Sequence, residues 1–338
     1  MQVTDIGEFA LIERLRQIIA FDHPDVLVGI GDDVAVLATQ GDELLLATID
    51  CQVEKRHFLP DLITPRQLGQ RALAVNLSDI AAVGGQPTFA LVSLALPTST
   101  EVEWVEELYH GLRAEADRWG VSVVGGNLTR SLAGVWIDIA LLGRATRAQL
   151  ILRSGAQPGD LVMVTGELGT AFVGLHLALH PDVLVDSVDR KALITHYLEP
   201  KPKLAEAAII AQAKLATAMI DISDGLSSDL GHICEKSKVG VRVWATKLPI
   251  APAVQRVAAI VATPPWQYAL EGGDDYGLCF TAPPEAAAKL SAAITQQTDT
   301  KVTVIGEILP EVQGKRFVLP NDQEISLDSI GWQHFRKE

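Results

Sequence analysis

Short apolar runs of strand length alternate with helix-periodic segments along the whole chain, and that alternation limits the fold more than any other feature. Residues 43–49, ELLLATI, are too few for a typical helix and suit a buried strand. Apolar runs at 26–30 and 34–38 flank Gly31, Asp32 and Asp33. Pro65 opens a helix, a position where proline is well tolerated. Leu68, Leu73, Leu77 and Ile80 give that helix one apolar stripe, and Gly84 and Gly85 end it. A strand follows at 89–96, then a helix at 100–119 with Val102, Val105, Leu108, Leu112 and Trp119 at helical spacing. Strands at 121–124, running into Gly125 and Gly126, and at 135–142 complete this half. The pattern restarts after Arg147, with strands at 161–165, 218–222, 239–245, 277–281 and 301–308. Helices are expected from about Leu168, at 203–214, from the DISDGL segment to Lys236, and at 284–294. Two halves that both mix strands and helices imply an α/β (α+β) chain of two domains, and 338 residues suit two. The polar stretch 144–159 places the boundary near residue 148, giving domains 1–148 and 149–338.

Acidic side chains number 42 against 28 basic, a formal net charge of −14. A nucleic-acid-binding surface must be cationic to displace counterions, and an anionic bilayer repels such a chain, so neither partner is expected. A polyanion such as ATP can still bind if divalent cations sit between carboxylates and phosphates. Cys51, Cys234 and Cys279 are far apart and odd in number, which fits a reducing compartment. The N-terminal segment has acids before any basic residue and no long apolar core, unlike a secretory signal. No apolar run nears the ~20 residues of a membrane helix. A soluble, cytoplasmic protein is the expectation.

The functional signal is where the acids fall. Asp32 and Asp33 follow Gly31, and Asp50 ends LLLATID. Asp79 lies in AVNLSDIAAVGG, Asp221 and Asp224 bracket Ile-Ser in MIDISDGLSSDL, and Asp274 and Asp275 follow Gly272 and Gly273. Nearly all sit at element ends beside Gly or Ser, where loops present functional groups on a rigid scaffold. Each has a plainer reading: Asp32 and Asp33 as a turn, Asp50 as a strand end, Asp224 as a helix N-cap. Asp79 resists one, because it stands in an otherwise apolar helix with Asn76 one turn earlier on the same face. A carboxylate there needs a partner or a metal, and oxygen-only ligands favour Mg²⁺ or Mn²⁺ over zinc. P-loop, Rossmann, protein-kinase and nucleophile-elbow motifs are all absent from the sequence. A lone His57 in a polar stretch reads first as an ordinary surface residue.

Nine segments in order make the pattern specific: GEFALIERL, IGDDVAVL, TIDCQVEKRHF, AVNLSDIAAVGGQP, VVGGNLTR, LRSGAQPGD, MIDISDGLSSDL, LEGGDDYGLCFT and GWQHF. Together they resemble the thiamine-monophosphate kinase family of the aminoimidazole-ribonucleotide-synthetase-like superfamily, over almost the whole chain. The resemblance implies a two-domain fold whose N-terminal mixed sheets pair across a homodimer, followed by a C-terminal α/β domain. It implies ATP-dependent phosphorylation of thiamine monophosphate to thiamine diphosphate, with several Mg²⁺ ions, and leaves room for K⁺. Matched by motif, Asp33, Asp50, Asp79, Asp221 and Asp224 are implied as metal ligands, with Thr48 and Asn127 beside them. Tyr109, Gly125, Gly126, Asn127, Arg153 and Ser223 are implied for ATP, and His57, Asp274 and Trp332 for the thiamine substrate. Asp50, Asp79, Arg153 and Asp221 carry the implied catalysis. Three positions depart from the family's pattern: Asn127 where many relatives have Asp, Ile49 where relatives have Thr, and Asp274 where relatives usually have Glu. Rival readings are another ATP-using enzyme of the superfamily, or a non-catalytic nucleotide or thiamine-phosphate binder. A selenide activator would carry a reactive Cys near the N-terminus, whereas the first here is Cys51. A pure binder has no need of so many acids at mutual repulsive cost.

Overall fold

The computed structural model describes residues 2, 5–19 and 23–327. Trp332, expected at the substrate end, lies outside the described residues. Strands β1 (Val26–Val28), β2 (Ala35–Ala38), β3 (Glu43–Val53), β4 (Gln86–Leu96), β5 (Ser122–Arg130) and β6 (Trp136–Thr146) form one sheet in the order β1-β2-β3-β6-β4-β5. Its pairings are antiparallel except β4 with β5. A second sheet contains β7 (Leu161–Thr165), β8 (Ala218–Ile222), β9 (Val239–Trp244), β10 (Gly277–Ala282), β11 (Val302–Pro310), β12 (Lys315–Val318) and β13 (Glu324–Ser326). Its order is β13-β12-β9-β11-β7-β10-β8, antiparallel except β12 with β9.

The helices are α1 (Glu8–Ile19), α2 (Pro65–Ala82), α3 (Val102–Trp119), α4 (Thr170–Leu179), α5 (Ser187–Leu198), α6 (Leu204–Ala213), α7 (Leu226–Ser237), α8 (Pro252–Ile260), α9 (Pro265–Glu271) and α10 (Pro284–Thr298). Among the described residues none is long and apolar enough to cross a membrane.

Helix α2 is the axis of the molecule. Thr64 and Gln67 form a reciprocal capping box at its start, with Pro65 in the first turn. Thirteen of its residues are buried, so the single stripe expected from the leucines is in fact a helix covered nearly all round. It packs on α3, β3 and β6 from the first half, and on α5, α6 and β8 from the second. One apolar core therefore runs from Leu46 and Ile137 through Leu77 and Ile80 to Met163, Leu278 and Phe280. A second core, with Leu230, Ile233, Val241 and Phe317, lies under α7 on the second sheet.

Strand ends differ from expectation where polar residues continue the ladder. β3 runs on to Val53 and β6 to Thr146, paired along their whole lengths. β5 passes through Gly125 and Gly126 to Arg130, because those glycines stay in register with Leu91 and Val92 of β4. No element is assigned from the sequence at helices α1, α5, α8 and α9 or at strands β12 and β13, although Phe9, Ile12, Leu15 and Ile19 recur at helical spacing in α1. The boundary expected near residue 148 falls between β6 and β7.

Helices α2 and α3 touch backbone to backbone. A Cβ on Gly69 would lie 1.9 Å from the Leu108 carbonyl oxygen, and one on Gly111 would lie 1.8 Å from that of Arg66. Gly69→Ala should force the helices apart and destabilise the protein by roughly 1–3 kcal/mol, the usual scale of overpacking. Gly231→Ala in α7, where the nearest atom is the Lys315 Nζ at 3.8 Å, should be neutral or stabilising by up to about 1 kcal/mol. Urea unfolding of the two variants checks the contrast.

Candidate active site

Three carboxylates converge between the halves. Asp33 in the turn before β2, Asp79 near the end of α2 and Asp221 in β8 each bring an oxygen within 4.8 Å of the other two. The elements deliver them by their own periodicity. On β3, Leu44 and Leu46 point into the core, and the next residues on that face are Thr48, Asp50 and Gln52. The Thr48 hydroxyl donates to Asp79 Oδ2 at 2.5 Å, and the Asp50 N–H donates to Asn76 Oδ1 at 3.0 Å. Ser78 donates to Asp221 Oδ2 at 2.6 Å, tying α2 to the second sheet.

The cation nearest this cluster is Arg153. Its Nη2 and Nε donate to the two oxygens of Asp33 at 2.6 and 3.0 Å, and the Asp33 side chain is only 1% exposed. Asp32 accepts the backbone N–H groups of Asp33 and Arg153 and so fixes the turn. Burial, then the Asp33 charge, pushes the Asp221 carboxyl up to about 8. Burial, then Asp50 and Asp221, holds Asp79 well above the usual carboxylate range. One arginine does not neutralise such a group. An all-oxygen set of crowded carboxylates with a hydroxyl alongside fits a hard divalent cation.

A cleft of about 1140 Å³ opens over the cluster, bordered by Asp32, Asp33, Thr48, Arg153, Ser223 and Asp224, with Phe9 and Ile12 of α1 on its rim. Asp224 is not the cap of α7, as one sequence reading had it. Gly225 holds the N-cap position, and Asp229, 2% exposed, accepts the N–H groups of Asp224 and Gly225 at 3.2 and 3.1 Å. Burial, then Glu8 and Asp274, pushes Asp224 up to about 7.

The GGDDY loop docks on the same strand end. Asp274 N–H donates to the Ser223 carbonyl and Tyr276 N–H to that of Ile222, both at 2.8 Å. A Cβ on Gly273 would lie 2.4 Å from the Ser223 oxygen, so only glycine permits this approach. Asp274 meets Arg71 and Tyr276, whereas Asp275 turns away and accepts the N–H groups of Gly169 and Ala171 at the start of α4. His57 Nδ1 accepts the Val53 N–H in the turn after β3.

Tyr109, Gly125, Gly126 and Asn127 are not brought to the cluster within the chain. Asn127 aligns with Ser93, Asp138 and Cys51 across the sheet, three strand spacings or about 14 Å from β3. It shares the face of Cys51, opposite to that of Asp50. Tyr109 borders a separate cleft of about 790 Å³ with Ser122 and Val123. The motif reading missed Gln52, Arg71, Ser78, Asp229 and Tyr276. Arg71 carried the same signal as Asp79, a charge inside an apolar helix.

Residues 31–145 match the model for the N-terminal domain of AIR synthase related proteins, and residues 157–318 match that for the C-terminal domain. The chain is 35% identical over 329 residues to the thiamine-monophosphate kinase of Escherichia coli K12, covering 97% of this chain and 98% of that one. It is 32% identical over 333 residues to that of Bacillus subtilis, covering 98% and 100%. Among solved structures it is similar to AaThiL complexed with AMPPCP and TMP, with a TM-score of 0.84 and 32% identity over 99% of both chains.

A carboxyl that keeps its proton in the folded protein lowers stability as pH rises through the interval between its unfolded and folded pKa values. For Asp221 that interval runs from about 4 to about 8. The metal-free protein should therefore lose stability from pH 5 to pH 8, by up to about 1.4 kcal/mol per pH unit for each such group. Asp221→Asn should flatten that slope, raise the melting temperature most at pH 8, and abolish activity. Calorimetry in chelator across this range is the check.

Proposed function

The chain belongs to the thiamine-monophosphate kinase family, and we infer that it transfers the γ-phosphoryl group of ATP directly and in line to thiamine monophosphate, giving thiamine diphosphate. The observation that carries this reading is the carboxylate trio of Asp33, Asp79 and Asp221 under a large cleft. Both substrates are phosphorylated anions, and such a cluster would repel them unless cations intervened. Asp33, Asp79 and Asp221 would hold Mg²⁺, with Thr48 fixing Asp79 and with Asp50 and Asp224 at the margin. Bound there, the metal supplies charge neutralisation on the phosphates and on the transferring group.

The residues of the chain bind and orient. Arg153 offers a cation at the cleft wall, already aligned by Asp33, for the ATP phosphates. Ser223 borders the same space. Asp274, whose N–H meets the Ser223 carbonyl at the DISDG strand end, is assigned to the thiamine end of the acceptor, with His57 and Trp332. The attacking atom is a phosphate oxygen ionised at neutral pH, so the reaction needs positioning and charge compensation more than a general base.

The nucleotide roles of Tyr109, Gly125, Gly126 and Asn127 require a second copy. The outer face of the first sheet exposes Ile49, Phe89, Leu91 and Trp136, and every residue of the edge strand β5 is exposed. An apolar face of this kind marks an interaction surface. We place a homodimer contact there, with the two halves of each chain divided near residue 148.

The purified protein with Mg-ATP should convert thiamine monophosphate to thiamine diphosphate, followed by chromatography, and should not use free thiamine. EDTA should abolish turnover and excess Mg²⁺ or Mn²⁺ restore it. Turnover of free thiamine with none of the monophosphate would overturn the assignment. Leu91→Asp should halve the mass seen by light scattering and cut activity; a wild-type monomer would overturn the shared site.

A further inference from the structure

Arg71 is a fully charged side chain inside the most buried helix of the molecule, 3% exposed. Its Nη1 donates to the Tyr197 carbonyl at 2.5 Å and its Nε to Gln52 Oε1 at 3.3 Å. The guanidinium carbon also lies 4.9 Å from the centroid of the Tyr197 ring. These contacts fix the plane of the guanidinium before its last nitrogen is used. That nitrogen, Nη2, donates to Asp274 Oδ1 at 2.9 Å across the junction of the two halves.

Asp274 is held in an unusual way. It and Tyr276 both have left-handed backbones, at φ 66 and 48, which cost non-glycine residues energy and persist only where the surroundings impose them. The Tyr276 hydroxyl donates to the same oxygen, Oδ1, at 2.9 Å. Burial, then the Asp274 charge, keeps the Tyr276 phenol well above its usual range, so it remains a donor. Both bonds fall on Oδ1. Among the described residues nothing donates to Oδ2, and the Asp274 side chain is 31% exposed. The buried arginine and the phenol thus hold Asp274 by one oxygen and leave the other facing the accessible side of the junction.

We propose that Arg71 is a positioning residue that, with Tyr276, clamps Oδ1 of Asp274 and so presents Oδ2 to the hydrogen-bond donor of the acceptor, the amino group of the thiamine ring system. The inference rests on the assignment of thiamine monophosphate as acceptor. Arg71 stays out of contact with substrate and acts through Asp274. Lysine at this position keeps the charge but lacks the fork that meets Gln52, Tyr197 and Asp274 together.

The test is steady-state kinetics of wild type, Arg71→Lys, Arg71→Met and Tyr276→Phe, each substrate varied in turn with Mg-ATP, alongside thermal melts. A lost charge-assisted bond predicts a rise of roughly ten-fold or more in KM for thiamine monophosphate in Arg71→Met, with KM for ATP changed less than about two-fold. Arg71→Lys should recover part of the loss, and Tyr276→Phe should show a smaller shift in the same direction. If Arg71→Met does not fold, the other two variants decide, and both must raise the acceptor KM selectively. An unchanged acceptor KM in folded variants, or equal rises for both substrates, overturns the proposal. An active wild type with insensitive variants removes this inference alone. A wild type that does not phosphorylate thiamine monophosphate removes the acceptor assignment, and this inference falls with it.

Discussion

Three polar rungs join β3 to α2, and the rest of the structure depends on keeping them complete. Thr48 reaches Asp79, the Asp50 backbone reaches Asn76, and Gln52 receives Arg71. The strand presents one residue in two to the helix, and the helix runs the opposite way, so rising numbers on one meet falling numbers on the other. A buried polar group left without a partner costs about 1–3 kcal/mol, so each rung also specifies the register of its neighbours. The glycine contacts at Gly69 and Gly111 press α3 onto the opposite flank of α2. Ser78 and Arg71 then carry the order across to β8 and to the GGDDY loop.

The same arrangement explains why the site is costly and still persists. Asp33, Asp79 and Asp221 come from three separate elements, each anchored by apolar packing that does not involve the carboxylates. Val34 and Val36 beside Asp33, Leu77 and Ile80 beside Asp79, and Ile220 and Ile222 beside Asp221 are all buried. The scaffold thus imposes the proximity, and the electrostatic penalty appears as raised carboxyl pKa values rather than as displaced side chains. Among the described residues Arg153 opposes it by pairing with Asp33, and the Ser78 and Thr48 hydroxyls oppose it by donating to Asp221 and Asp79. A site built in this way is poised for ligands that bring positive charge with them.

Much of this was legible in the sequence because the signals were local. Pro65, the leucine spacing and Gly84 marked α2; apolar runs marked β3, β7 and β8; and the placement of acids beside Gly and Ser marked Asp33, Asp221 and Asp224. Asp79 stood out because a charge in an apolar helix demands an explanation. What was not legible depended on tertiary contact. Asp229 replaces Asp224 as the group that satisfies the loop N–H groups, a choice between two acids five residues apart that spacing does not make. The strand path through Gly125 and Gly126 is set by the β4 ladder rather than by β-propensity. Asn127 reads as a member of the metal set by motif, and only the sheet order puts it on the far face. Ile49, the departure from the family pattern next to Asp50, is 65% exposed on that same face. A side-chain oxygen there would not have pointed at the trio of its own chain.

The helix that links the two ends of the site also sets their separation. Arg71 and Asp79 are eight residues apart on a straight, buried segment, which fixes about 12 Å along its axis. The metal-type cluster therefore stands at one end of a rigid rod, and the clamp on Asp274 at the other. An acceptor that uses both ends must place an anionic group near Asp79 and a hydrogen-bond donor near Asp274. A molecule lacking the phosphate would satisfy only one end, whatever its fit there. The length of α2 between two polar rungs thus sets the spacing between the cluster and the clamp. Asp274 is drawn toward α2 by Arg71. The two bonds on Oδ1, from Arg71 on the rod and from Tyr276 on the loop, then determine where that carboxylate stands.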